Sequence, residues 1–128
     1  MSIRTDLGGN LPLITGNPVQ LSQVVLNLVT NAVDAMSSVT DWARVLRIRS
    51  EFQEPDSIIV SVEDAGSGLD AEHKDRIFEP FFTTKSHGLG MGLMICQSII
   101  EAHGGRLWMM NNVPQGATFH FTLPAGSA

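Results

Sequence analysis

The chain has 128 residues and a mass of 13.9 kDa, with 43% hydrophobic and 16% charged residues. That is one domain's worth, able to bury roughly two thirds of its unfolded surface without a metal or disulfide staple, and too apolar for a disordered chain. Its net charge of −5, eight Lys/Arg against thirteen Asp/Glu, argues against the basic face of a nucleic-acid binder. It leaves room for a nucleotide, which one lysine and a few backbone N–H groups can hold.

The single cysteine, Cys96, rules out an intramolecular disulfide and points to a reducing, cytoplasmic compartment. No apolar run approaches the ~20 residues of a membrane helix, and Met1–Asp6 lacks a signal peptide's apolar core. No membrane contact by this domain is expected.

Leu11–Thr15 has the character of a short edge strand, with Pro12 keeping it off a sheet centre. Asn17-Pro18 is an N-cap and first-turn pair. Behind it Leu21, Val24, Val25, Leu28, Val29, Ala32 and Met36 fall at helical spacing, which predicts a helix over residues 18–38. Arg44–Phe52 alternates charged and apolar, and Ser57–Glu63 is rich in β-branched residues. With Gln53-Glu54-Pro55-Asp56 between them they predict an antiparallel hairpin. Ala71–Arg76 reads as a short helix, Ile77–Thr84 as an aromatic-rich loop, and Ser86–Gly92 as a glycine-rich loop. Met91–His103 is helical again and closes on Gly104-Gly105. Arg106–Met110 and Ala117–Leu123 are the last two strands. Helices grouped against a mostly antiparallel sheet predict an α+β two-layer sandwich.

Three constellations carry chemistry. Gln23, Asn27, Asn31 and Asp34 form one stripe of the first helix, at spacings of four, four and three residues. The stripe is either an ordinary solvated face or a set of short oxygen donors for a hard cation. Asn and Asp each cost about half a kcal/mol in a helix interior relative to Ala, whereas a solvated face normally uses Glu, Lys or Gln. Asp64-Ala65-Gly66-Ser67-Gly68 follows a strand. It is either a strand-ending Asx turn or a pocket floor where a carboxylate accepts from an adenine 6-amino group and the glycines let backbone approach the base. Lys85-Ser86-His87-Gly88-Leu89-Gly90-Met91-Gly92-Leu93 enters the last helix. It matches neither the P-loop nor the dinucleotide fingerprint. It is either a flexible surface loop or an anion site built from free N–H groups and a helix dipole, with Lys85 reaching a phosphate.

In this order and spacing the motifs resemble the N, G1, F and G2 boxes of sensor histidine kinases. The matching segments are Gln23 to Ala32, Asp64 to Gly68, Ile77-Phe78-Glu79-Pro80-Phe81-Phe82-Thr83-Thr84-Lys85, and Gly88 to Leu93. Gly116–Pro124 is similar to that family's last strand. The resemblance covers about Gly16 to Pro124. It implies the catalytic ATP-binding domain, of the Bergerat fold shared with gyrase B subunits, mismatch-repair ATPases and heat-shock-90 chaperones. Asn31–Met36 and Ser98–Gly105 look most similar to the nitrogen- and oxygen-sensing branch of histidine kinases.

The resemblance implies roles residue by residue. Asn31 is the Mg²⁺ ligand, and Asp64 recognises adenine with a water and Thr118. Ala32, Leu69 and Leu93 pack the base, while Gly66 and Gly68 let backbone close on it. Lys85 and the amides of Gly88, Leu89, Gly90 and Gly92 belong to a lid over the phosphates, rooted by Phe78, Phe81 and Phe82. Asp34 departs from kinases that carry a basic residue there. In related ATPases the position of Asn27 is a water-activating Glu; an amide cannot take a proton near neutral pH, so the implied activity is histidine phosphorylation from ATP. A non-catalytic nucleotide switch, a stand-alone ATPase and a serine kinase of the anti-sigma type share the fold. Asn27 disfavours the ATPase, and the full glycine lid disfavours the serine kinase.

None of His73, His87, His103 and His120 stands in the family's phosphoacceptor context, a long helix ahead of the N box. The chain is therefore expected to be a single excised domain over residues 1–128. Its implied partners are ATP, a separate histidine-bearing dimerisation domain and, indirectly, a response regulator. The parent protein could be anchored in a membrane.

Overall fold

The computed structural model describes residues 1–9, 11, 14, 16–37, 39–66, 92–113 and 115–125. Helix α1 spans Pro18–Ala35. Asn17 caps it, its Oδ1 accepting the N–H groups of Val19 at 3.0 Å and Gln20 at 3.1 Å. The helix stops short of residue 38. The Met36 N–H turns back to Ala32 and Val33, and the Ser37 hydroxyl donates to the Asp34 carbonyl. The Arg44 guanidinium collects the next carbonyls, Val39 at 2.9 Å and Ser37 at 3.3 Å.

Five strands form one sheet in the order β1-β2-β3-β5-β4: β1 (Ser2–Leu7), β2 (Val45–Gln53), β3 (Ser57–Glu63), β4 (Leu107–Asn111) and β5 (Ala117–Pro124). The predicted hairpin is β2–β3, paired from Arg47↔Glu63 to Gln53↔Ser57. Only β1–β2 is parallel, so the sheet is mixed and mostly antiparallel, as expected.

The edge strand beside β2 is β1, β4 being the other edge, and the expected strand Leu11–Thr15 is not among the described strands. Leu11 and Ile14 are half-buried against the core outside any strand, and Pro12, Leu13 and Thr15 lie outside the described residues. The edge position is already filled by Ser2–Leu7, all of it exposed and held through backbone pairing to β2.

Helix α2 spans Gly92–Ala102 and ends on Gly104-Gly105, the Gly105 N–H returning to the Ile100 carbonyl at 2.9 Å. Met91 lies outside the described residues, as do the predicted helix Ala71–Arg76 and both predicted loops up to Gly92. Both helices pack on one face of the sheet. Val24, Leu28 and Ala32 of α1 and its C-cap residue Met36, with Cys96 and Ile100 of α2, meet Leu46, Ile58, Val62, Met109, Phe119 and Phe121 in one core. Each fully buried Leu or Val there contributes about 1.5–3 kcal/mol by leaving water.

The other sheet face is open and polar. Glu63 bridges Arg47 at 3.5 Å and Arg49 at 4.0 Å. His120 bonds the Ser61 hydroxyl through Nδ1 at 2.8 Å and stacks on Trp108. Burial, and then the Arg49 charge, hold the His120 imidazole below its ordinary value.

Candidate functional site

Strand β3 ends at Glu63, and the chain turns at Asp64 under the helices. Alternation sends the Glu63 side chain to the open face and brings Asp64 to the helix side. Asp64 is buried, 5% exposed. Its Oδ1 accepts the Gly66 N–H at 2.8 Å and the Ala117 N–H at 3.2 Å, while the Asp64 N–H donates to the Ala117 carbonyl at 2.9 Å. Burial pushes the carboxyl above its ordinary value of 3.8; the two N–H groups oppose this and the Glu63 charge adds to it.

Backbone packs hard around this turn. A Cβ on Gly66 would lie 2.6 Å from the Ala35 carbonyl oxygen, at the end of α1. A Cβ on Gly116, whose φ is +99°, would lie 2.2 Å from the Asp64 carbonyl oxygen. The Trp42 indole N–H, from the α1–β2 connection, donates to the Ala65 carbonyl.

The α1 stripe runs beside this turn and α2. Asn27 is half-buried, and its Nδ2 donates to Cys96 Sγ at 3.6 Å. Burial raises the Cys96 thiol. Asn31 is half-buried one turn further on, and Ala32 is buried in the core with Leu93 packed against it. Gln23 and Asp34 are exposed.

Thr118 is not brought to the Asp64 carboxylate. It stands opposite Glu63 in the β3–β5 register, on the open-face side, and its hydroxyl donates to Asn112 Oδ1 at 2.9 Å. The neighbour that reaches Asp64 is Ala117, through its backbone. Gly68, Leu69, Lys85, Gly88, Leu89 and Gly90 lie outside the described residues, as do His73 and His87. A hollow of about 530 Å³ touches Asp64 and Ala65 but is walled by Arg4, Arg47, Glu63 and Asn112, with no residue of α1 or α2, so it does not lie between Asp64 and the α1 stripe.

A profile of histidine kinase-, DNA gyrase B- and HSP90-like ATPases matches residues 16–127. The chain belongs to this family. The sensor protein FixL of Bradyrhizobium diazoefficiens is 43% identical over 125 residues, covering 98% of this chain and 24% of its own. The nucleotide-free catalytic domain of histidine kinase ThkA is similar at a TM-score of 0.80 and 35% identity, covering 98% of this chain and 80% of that one. Full-length ShkA in complex with AMPPNP also gives 0.80, at 30% identity, covering 99% of this chain and 26% of that one. This chain thus spans about a quarter of FixL's length. Its fold is that of histidine kinase catalytic domains, and its family is ATP-binding.

Among the described residues, no three His, Cys, Asp or Glu side chains converge on a metal position, and no helix is long and apolar enough to cross a membrane. A magnesium ion carried by a nucleotide does not need such a cluster. It takes one or two protein oxygens with phosphates and waters, and the side-chain carbonyl of Asn31 suits that chemistry.

Proposed function

We propose that this domain binds ATP with Mg²⁺ and donates the γ-phosphoryl group to a histidine on a separate dimerisation domain. The supporting observation is Asp64: a buried carboxylate, gripped by two backbone N–H groups on one oxygen, on the floor between α1 and β5. Its other oxygen would accept from the adenine 6-amino group. Gly66 would hold the turn close under the end of α1, and Ala32 and Leu93 would flank the base. Asn31 would supply an oxygen to Mg²⁺, which when bound neutralises phosphate charge. Lys85 and the Gly88–Gly92 amides would close on the phosphates.

Asn27 supports a kinase rather than an ATPase. Its amide has no proton-accepting capacity near neutral pH, and its NH₂ is engaged by Cys96. With an amide in place of a carboxylate at position 27, ATP waits for an imidazole. That nitrogen attacks the γ-phosphorus, the bond to the bridging oxygen breaks, and ADP leaves; this chain contributes positioning and charge stabilisation. The sequence match to only a quarter of FixL supports a partner domain elsewhere in the parent protein.

Calorimetry with a non-hydrolysable ATP analogue tests binding: one site, weakened when Mg²⁺ is chelated. No heat at millimolar nucleotide would refute it. Labelled ATP should then deliver acid-labile phosphate to a supplied histidine-bearing hairpin of the same kinase class and not to this chain; label on His73, His87, His103 or His120 would place the acceptor within it.

A further inference from the structure

The Ala65–Gly66 peptide group is held at both ends. Its N–H donates to Asp64 Oδ1 at 2.8 Å, and its C=O accepts from the Trp42 indole. A peptide unit is planar and trans, so its C=O and N–H point in opposite directions and cannot turn independently. Fixing the oxygen therefore fixes the direction of the N–H. On its Gly66 side the plane has no Cβ to oppose rotation, so its direction there is set by packing and by these two hydrogen bonds. Hydrogen bonds in series across one amide also polarise it, strengthening the N–H as a donor to the carboxylate.

We infer that Trp42 is a positioning residue for base recognition: its indole N–H locks the Ala65–Gly66 peptide plane and thereby aims the Asp64 carboxylate. Trp42 lies in the α1–β2 connection, outside every motif that resembles a kinase box. Trp42 is exposed, at 38%, so burial alone does not account for a tryptophan there. The inference rests on the reading of Asp64 as the acceptor for the adenine 6-amino group. It adds that selectivity for that group is set partly from Trp42, twenty-two residues upstream.

The test compares ATP with inosine triphosphate, which has no 6-amino donor, by calorimetry on the parent, Trp42→Phe, Asp64→Asn and the double variant. Phenylalanine keeps the ring and removes only the donor. Losing one neutral hydrogen bond should weaken ATP binding about two- to tenfold. Inosine triphosphate binding should stay at its parental level, so the ratio between the two nucleotides narrows. The double variant should bind ATP no more weakly than Asp64→Asn alone, because both changes act through one carboxylate. Trp108→Phe, on the open face, should leave the ratio unchanged.

A Trp42→Phe ratio equal to the parent's would overturn the inference, as would an equal loss for both nucleotides, which a merely structural role would give. Parent-like ATP binding by Asp64→Asn would instead overturn the adenine reading itself. In the unaltered protein, one indole N–H should resist hydrogen exchange and vanish from the spectrum of Trp42→Phe. Fast exchange at that proton would refute the bond without any variant needing to fold.

Discussion

Asp64→Asn should move binding and stability in opposite directions. Asparagine has the same shape, and its Oδ1 can accept the Gly66 and Ala117 N–H groups as the carboxylate does. The turn is therefore kept. What disappears is a charge that burial disfavours, since desolvation is the largest influence on this carboxyl and raises its pKa. The empty variant should be at least as stable as the parent near neutral pH. The sign follows from proton linkage. The native state holds its proton to higher pH than the unfolded chain, so this group's contribution to parental stability falls as pH rises from the ordinary 3.8 through the raised folded value. The variant's stability curve should lack that step. Binding goes the other way, because the new NH₂ would face the adenine NH₂, donor against donor. An unpaired buried polar group costs about 1–3 kcal/mol, or roughly 5- to 150-fold in affinity. Urea melts of the empty proteins across pH, with ATP calorimetry at neutral pH, separate the effects. A variant that unfolds more easily near neutral pH, or that binds ATP like the parent, would refute the reasoning.

In the parent, ATP affinity should fall as pH descends through the raised Asp64 value, and the fall should begin above the range of an ordinary carboxylate; an affinity flat from neutral to mildly acidic pH would contradict this. Gly66→Ala should cost about 1–3 kcal/mol, because its Cβ meets the Ala35 backbone at 2.6 Å rather than a side chain that can swing away. Its thermal melt should drop and its ATP affinity with it, whereas a parental melting temperature would mean that the turn has slack. The parent should hydrolyse ATP very slowly, and Asn27→Glu should raise the rate by up to about 10²–10⁴-fold, the usual reach of a general base. Brisk parental hydrolysis in a phosphate-release assay would reveal another base.

Elements that bury one face were legible in the sequence. The α1 stripe, its Asn17-Pro18 start, the β2–β3 hairpin and the Gly104-Gly105 stop each carry a local chemical reason, and each stands within a few residues of its expected place. β1 carries no such reason. Every residue of Ser2–Leu7 is exposed, so burial writes no pattern into it, and only the backbone of β2 identifies it. The turn at Asp64 was legible from its glycines. Thr118 was assigned by family position, although the β3–β5 register places it opposite Glu63, away from Asp64. A parity count from the buried Phe119 and Phe121 carries that information, since alternate residues share a face. Trp42 left no signal, because a bond from an irregular connection to a backbone carbonyl has no periodicity.

The contact between Gly66 and Ala35 joins main chain to main chain. Side chains absorb small movements by changing rotamer, and here none stands between the two. Helix α1 has 18 residues and so is about 27 Å long. Its far end is seated on the loop that carries Asp64, so any displacement of α1 along its axis would meet that loop at main chain, with no rotamer change to take it up.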